Sequence, residues 1–309
     1  MNLYFSGFGA RDLDLDPRIP RGHRYRLLSC HEEYIEVARR FSNDLKDGME
    51  DPYSLMFDSG AFTAWNKGRE VVLKDLIEVY DEMMNLSYDR AKDIWLISLD
   101  KIPGSPGRTA GPEELIECCR ISDENFTILS ERYGERVLPV FHQNEPTSRL
   151  REVADMAPYI CVSPRNDLHE SQRVRWSAEV HSLIPGKMTH GLATTGYGMM
   201  TTIPWGSVDS ASWVFCATNG GIIRDHRLRV LQMSDQSTSQ KVKDQHFKTL
   251  PAIIQDKFRE FVEVRGFTVE GLITEFRERL VWNRVILSEL AQSISDKIEN
   301  PFSVGLFDL

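Results

Sequence analysis

The sequence predicts a (β/α)8 barrel of the TIM type carrying a helical appendage at its C-terminal end. Three observations support this reading. Strand-like and helix-like segments alternate from the N-terminus to about residue 250. The strand candidates are short continuous apolar runs, such as IWLISL at Ile94–Leu99, without the period-two alternation of a half-wet sheet. That pattern belongs to parallel strands buried on both faces. No G-x-G-x-x-G follows the first strand candidate, which disfavours an open doubly wound sheet.

Asn2–Gly7 is a β-prone run bounded by glycine, and residues 11–23, rich in proline and charge, read as loop. Tyr25–Ser29 is a second strand. Helical periodicity follows over His31–Leu45, with Tyr34, Val37, Ala38, Phe41 and Leu45 on one side. Ser54–Asp58 precedes a helix over Val71–Met84. Ile94–Leu99 leads through DKIPGSPGRTAG into a helix that starts at Pro112 and runs to Tyr133; proline suits a first helical turn, where its missing N–H is no loss. Val137–Phe141, Tyr159–Ser163, Met188–Leu192, Gly206–Asp209 and Gly221–Arg224 supply further strands, with helices after Pro146 and over about 168–183. That makes nine candidates for eight places, and one of the first two is expected to lie outside the barrel. Beyond about residue 250 the alternation stops, and Ile253–Val264 and Val269–Ile298 read as amphipathic helices. The predicted domains are a catalytic barrel over 1–249 and a helical extension packed on it over 250–309.

The chain has 309 residues, 41% apolar and 27% charged, which fits a soluble globular protein with a sizeable core. No apolar run approaches the roughly 20 residues that span a bilayer. The N-terminus lacks the basic region and apolar core of a signal peptide. A cytoplasmic protein with no membrane partner is expected. Five scattered cysteines argue for a reducing compartment and against a disulfide framework. Without C-x₂-C or H-x₃-H spacing no metal is expected, although Cys216, His226 and His246 could form a looser set. The net charge of −9 does not advertise nucleic-acid binding. Yet Arg18, Arg21, Arg24 and Arg26 cluster early, and Arg224, Arg227, Arg229, Lys241 and Lys243 late. They read either as solvated surface or as a basic strip able to hold phosphates.

In a barrel, residues at the C-terminal strand ends converge on one pocket. Those positions hold Asp58, Asp100, His142 with Gln143, Ser163, His190 with Gly191, and Asp209. A single aspartate there is usually a helix cap. Three of them, beside the glycine-rich loop between Met188 and Trp213, suggest acid–base or nucleophilic chemistry at a polar carbon. One carboxylate can stay ionised and attack while another, its pKa raised, handles protons.

Five phrases in order carry a family likeness: FDSGAF (57–62), SLDKIPG (98–104), PVFHQ (139–143), HGLATTG (190–196) and VDSASW (208–213). Together they resemble the tRNA-guanine transglycosylase superfamily, particularly its archaeal and phage-type members and the 7-deazaguanine DNA transglycosylases, over roughly residues 50–215. The resemblance implies a pentosyltransferase that exchanges guanine in a polynucleotide for a 7-deazaguanine base without cutting the backbone. It implies Asp209 as the nucleophile toward C1′ and Asp58 as the acid–base group. It implies Asp100 on the Watson–Crick face of the base, with Gln143 or its neighbour His142 as a further base contact. Gly191 and Leu192 would lie against the purine, and Ser59 and Phe62 belong to the same substrate-binding set. Phe62, Phe141 and Tyr197 could stack a purine or simply fill core. No cofactor is implied, and a homodimer is compatible with the superfamily. The family's zinc motif after the nucleophile is missing, as is the archaeal RNA-binding appendage. Both departures favour a DNA substrate of the phage type over tRNA. Retaining exchange at C1′ needs two displacements, hence a carboxylate nucleophile. The base must also leave its stack, at a cost of a few kcal/mol. The alternatives are a tRNA-guanine transglycosylase, and a barrel glycoside or N-glycosyl hydrolase that uses the same carboxylates with water as acceptor.

Overall fold

Nine parallel-sheet segments make the barrel: β1 (Asn2–Phe5), β2 (Tyr25–Ser29), β3 (Tyr53–Asp58), β4 (Ala91–Ile97), β5 (Val137–Leu138), β6 (Val140–His142), β7 (Tyr159–Ser163), β8 (Met188–Gly191) and β9 (Ser207–Ser210). The structure is a computed structural model and describes residues 1–7, 11–20, 24–45, 53–237 and 244–299. In the sheet order β5-β4-β3-β2-β1-β9-β8-β7-β6, the two ends are consecutive in the chain. Only Pro139 separates them. Proline cannot donate a ladder hydrogen bond, so the fifth stave is recorded as two short pieces. Its carbonyls still pair on both sides, Leu138 O accepting from Ser98 N at 2.9 Å and Pro139 O from Cys161 N at 2.8 Å. Joining β5 and β6 closes a ring of eight staves, the predicted TIM-type barrel.

Both of the first two strand candidates belong to the ring, contrary to the expectation that one would lie outside; β1 pairs with β2 through Phe5 and Arg26. The surplus candidate is Gly221–Arg224. Its residues Gly221–Ile223 form β10, which pairs antiparallel with β11 (Val230–Gln232) in a separate two-stranded sheet. A three-residue apolar run carries no signal of parallel or antiparallel pairing, which explains the misreading.

The helices follow from their buried spacing. In Leu73–Ser87 the buried residues Leu76, Tyr80, Met83 and Ser87 recur three or four apart, one stripe of an α-helix. Pro112 opens the helix to Tyr133, as predicted, and Gly134 at φ 67° ends it. Residues Val269–Ile298 are two helices rather than one, Val269–Thr274 and Phe276–Glu299.

Contacts divide the chain into two compact units. Among the described residues, one comprises 2–7 and Arg24–Asp209; the other comprises Met1, 11–20 and Ser210 onward. The division therefore falls after Asp209 rather than at 249/250. In the second unit the Trp282 indole is fully buried, with the Phe258, Phe261 and Phe267 rings at 6.1, 5.7 and 5.2 Å. Asn283 accepts from Ile223 N at 2.7 Å and donates to Trp213 O at 2.9 Å, fixing the β10 hairpin and the helix Ser212–Thr218 to the last helix. These ties place 212–250 with the C-terminal helices.

Inside the ring, Tyr4, Leu27, Met56, Ile97, Leu138, Val140, Tyr159 and Cys161 form one buried cluster. Consecutive side chains of a strand point to opposite faces. The residues two positions further on, Ser6, Ser29, Asp58, His142, Ser163 and, through Ser207, Asp209, therefore face the same interior one layer nearer the C-terminal mouth. The sequence places an apolar floor under a polar rim.

Candidate active site

Asp58 ends β3, and its Oδ2 accepts the Gly60 N–H at 3.1 Å. Gly60 has φ 80°, and a Cβ there would stand 2.7 Å from the His31 Cβ, so only glycine makes this turn. Burial pushes the Asp58 carboxyl up to about 7. The charges of Asp100 and Asp209 add to that, against the opposing Gly60 N–H and Ser29 hydroxyl. That mutual repulsion is the plainest sign that the three aspartates share one site. Cys161, on the floor beneath, registers the same three charges: burial first, then Asp100, Asp209 and Asp58, hold its thiol protonated.

Asp100 lies on the loop after β4, which the helix Pro112–Tyr133 anchors through Asn125 Nδ2 to Leu99 O at 2.9 Å and Lys101 N to Ser122 Oγ at 2.9 Å. Its Oδ2 lies 2.6 Å from His142 Nε2. Burial pushes the His142 ring down, but the bonded Asp100 carboxylate outweighs it, with help from Glu145, and the ring sits above its usual value. The pair therefore tends toward imidazolium–carboxylate as pH falls into the histidine range.

Asp209 is 9% exposed, on β9. Its Oδ1 accepts the Ala193 N–H at 2.7 Å and stands 3.6 Å from His190 Nε2; Ser6 Oγ points at Oδ2 from 3.4 Å. Ala193 has φ +50°, a left-handed conformation uncommon outside glycine. Arg173 donates to the Ala193 carbonyl at 2.9 Å and Glu170 accepts from Gly198 N at 2.8 Å, so one helix clamps the glycine-rich loop. Strained backbone held from both sides is what a preorganised site requires.

The structure brings Asp58, Asp100, His142 and Asp209 together at the mouth. It does not bring Gln143 there. His142 and Gln143 point opposite ways along β6, and Gln143 Oε1 accepts from Arg165 N at 2.9 Å while its side chain lines an outer groove with Leu168 and Trp176. Of the two neighbours, the interior belongs to His142. Leu192 is partly buried and packs on the interior cluster. Gly191 is explained without a ligand, because a Cβ would meet Thr194 Oγ1 at 2.2 Å and the Trp205 ring at 3.1 Å. Ser59 is fully buried, and its hydroxyl serves the turn by accepting from Ala61 N at 3.4 Å. Phe62 is 48% exposed and stacked on Trp65 at 5.9 Å, whereas Phe141 is buried against Trp176. Tyr197 is exposed.

Among the described residues no group of three or more His, Cys, Asp or Glu could hold a metal ion. The looser set dissolves: His226 Nε2 faces Glu289 at 2.9 Å, and His246 Nε2 faces Ser234 O at 3.1 Å. Several of the described basic residues are already engaged. Arg26 is 1% exposed, Arg18 is bound to Asp16 and Glu278, and Arg224 and Arg229 both turn to Asp225. Arg21, Lys241 and Lys243 lie outside the described residues. No described helix is long and apolar enough to cross a membrane.

Missed by sequence reasoning were the second-layer partners Ser6, Tyr159, Arg173 and Ser207. Serines and an arginine scattered over four elements carry no spacing signal; only strand phase reveals them. Compared with known proteins, the chain matches no family model and no curated sequence.

Proposed function

We propose that this protein is a guanine transglycosylase acting on DNA, exchanging a guanine base for a 7-deazaguanine through a covalent aspartyl–sugar intermediate. The observation that supports it most is the division of labour among the carboxylates: Asp58 sits near neutrality under the charges of Asp100 and Asp209. In this reading Asp209 attacks C1′, and the C1′–N9 bond breaks as its electron pair passes to the base. Protonated Asp58 supplies the proton that the departing guanine needs. An incoming 7-deazaguanine gives its N9 proton to Asp58, its N9 bonds to C1′, and Asp209 leaves as carboxylate. Two displacements preserve configuration, and no strand is cut.

Asp100, fixed by His142, would accept from the N1–H and exocyclic amine of guanine, donors that adenine lacks in this arrangement. Leu192 would form the bed of the purine and exposed Phe62 an edge of it.

The test is incubation of the full chain with single-stranded DNA and a labelled 7-deazaguanine, followed by nucleoside mass spectrometry. Label in DNA, with one guanine released per base inserted, supports the reading. Guanine release without an acceptor base identifies an N-glycosyl hydrolase. Label in tRNA alone moves the substrate to RNA.

A further inference from the structure

His190 is completely buried on β8, facing the barrel interior edge-on to the Tyr4 ring at 5.7 Å. Its Nδ1 lies 2.5 Å from Ser207 Oγ, which in turn contacts the Tyr159 hydroxyl. Its Nε2 is buried without a hydrogen-bond partner, yet stands 3.6 Å from Asp209 Oδ1. A buried polar nitrogen left unpaired forfeits the hydrogen bond it had in water, so it calls for an explanation.

With a neutral His190 ring, the chain of contacts has one electrostatically sensible direction. A bare Nε2 lone pair aimed at a carboxylate is repelled, so Nε2 carries a hydrogen. Nδ1 must then accept, and Ser207 must donate to it. The Ser207 oxygen in turn accepts from the Tyr159 O–H, and burial of that phenol keeps it protonated. Every donor in Tyr159–Ser207–His190 therefore points toward Asp209. The remaining gap of 3.6 Å is one small carboxylate rotation from a hydrogen bond. Such contacts are commonly long without substrate and tighten with it.

Resting on the reading of Asp209 as nucleophile, we propose that His190 is a positioning residue that selects which oxygen attacks. Oδ1 holds the Ala193 N–H at 2.7 Å and faces the His190 Nε2–H at 3.6 Å, whereas Oδ2 meets only the long contact of the Ser6 hydroxyl at 3.4 Å and is the oxygen to bond C1′. In the intermediate Oδ1 is the ester carbonyl oxygen. When the second base arrives, charge returns to the departing carboxylate, and the same two donors meet it. This is the logic of an oxyanion hole, applied to a leaving aspartate.

Two measurements on the full chain test the proposal. The first is ring-nitrogen NMR of ¹⁵N-histidine-labelled protein, which needs no activity. The expected result is a protonated Nε2 on His190, perturbed by Asp209→Asn; a bare Nε2 overturns the proposal. The second is kinetics of His190→Phe and His190→Gln with labelled base and single-stranded DNA. Loss of one such donor should lower kcat roughly 10²-fold with KM little changed. The glutamine amide, which can reach Oδ1, should restore most of it at equal thermal stability. Unchanged kcat in His190→Phe, or equal losses in both variants, overturns the positioning role. Should the wild-type protein exchange no base, the transglycosylase reading fails, while the NMR result still decides where the His190 proton points.

Discussion

Two aspartates at the ends of different staves of the barrel occupy the same kind of position and live in different surroundings. Asp58, on β3, is pushed up to about 7 by burial and two like charges nearby, against one backbone N–H at 3.1 Å and the Ser29 hydroxyl. Asp209, on β9, has the Ala193 N–H at 2.7 Å, the Ser6 hydroxyl at 3.4 Å and the His190 ring at 3.6 Å. The strand end supplies the carboxylate in both cases, and the neighbours differ: like charges at Asp58, hydrogen-bond donors at Asp209. The lesson is that a barrel rim offers equivalent sites which the loops then make unequal.

The largest expected effect comes from the donor-rich side. On the proposed reading, Asp209→Asn keeps the shape and removes the nucleophile, so exchange should fall by about 10⁴-fold or more. No covalent protein–DNA adduct should be trapped on denaturing gels. Near-normal exchange by this variant would make the aspartate a loop fastener and dissolve the comparison.

On the other side, Asp58→Asn removes the proton carrier and should cost roughly 10²- to 10⁴-fold in kcat. The wild-type rate of adduct formation should decline above about pH 7, where Asp58 loses its proton, and the variant should lack that limb. Stability should move oppositely. The Asp58 carboxyl titrates at 3.8 unfolded and about 7 folded. Between these values the unfolded chain sheds the proton first, so the fold weakens as pH rises through that window. The span sets a ceiling of about 4 kcal/mol, trimmed by solvent at the mouth. Asp58→Asn should therefore melt several degrees higher than wild type at pH 8 and match it at pH 3. An equal melting temperature at pH 8 would mean that Asp58 is not strained.

Asp100 tests whether the His142 side binds rather than reacts. Asp100→Asn should raise KM roughly 10- to 100-fold, the worth of a charge-assisted hydrogen bond, with a smaller change in kcat. A fall confined to kcat would move Asp100 from recognition into chemistry.

How much of this was legible in the sequence varies with physical cause. Apolar runs and their order marked all eight staves, because buried parallel strands need no other pattern. Strand phase was not legible. Val140 faces the interior and Phe141 stacks on Trp176 at 6.1 Å, yet both are apolar, so the run cannot say which of His142 and Gln143 looks inward. The three aspartates stood out because charge at the end of an apolar run is conspicuous. The donors that differentiate them did not, since a backbone N–H at Ala193 leaves no trace in composition. The extra strand arose because Gly221–Ile223 is buried in a hairpin as thoroughly as a stave is in a barrel.

Gly191 carries the smallest and most discriminating prediction. Its family likeness gives it to the purine, whereas its surroundings give it to Thr194 and Trp205, whose atoms would stand 2.2 and 3.1 Å from an added Cβ. Overpacking of this kind costs about 1–3 kcal/mol. Gly191→Ala should therefore lower the melting temperature by a few degrees with no ligand present. Thr194→Ala in the same chain removes the nearer atom and should recover part of that loss, a coupling that only direct contact produces. If Gly191→Ala instead melts like wild type and only KM for the base rises, the glycine is kept open for the ligand. The Gly191–Leu192 segment would then belong to the recognition side of the mouth rather than to the clamp that aims Asp209.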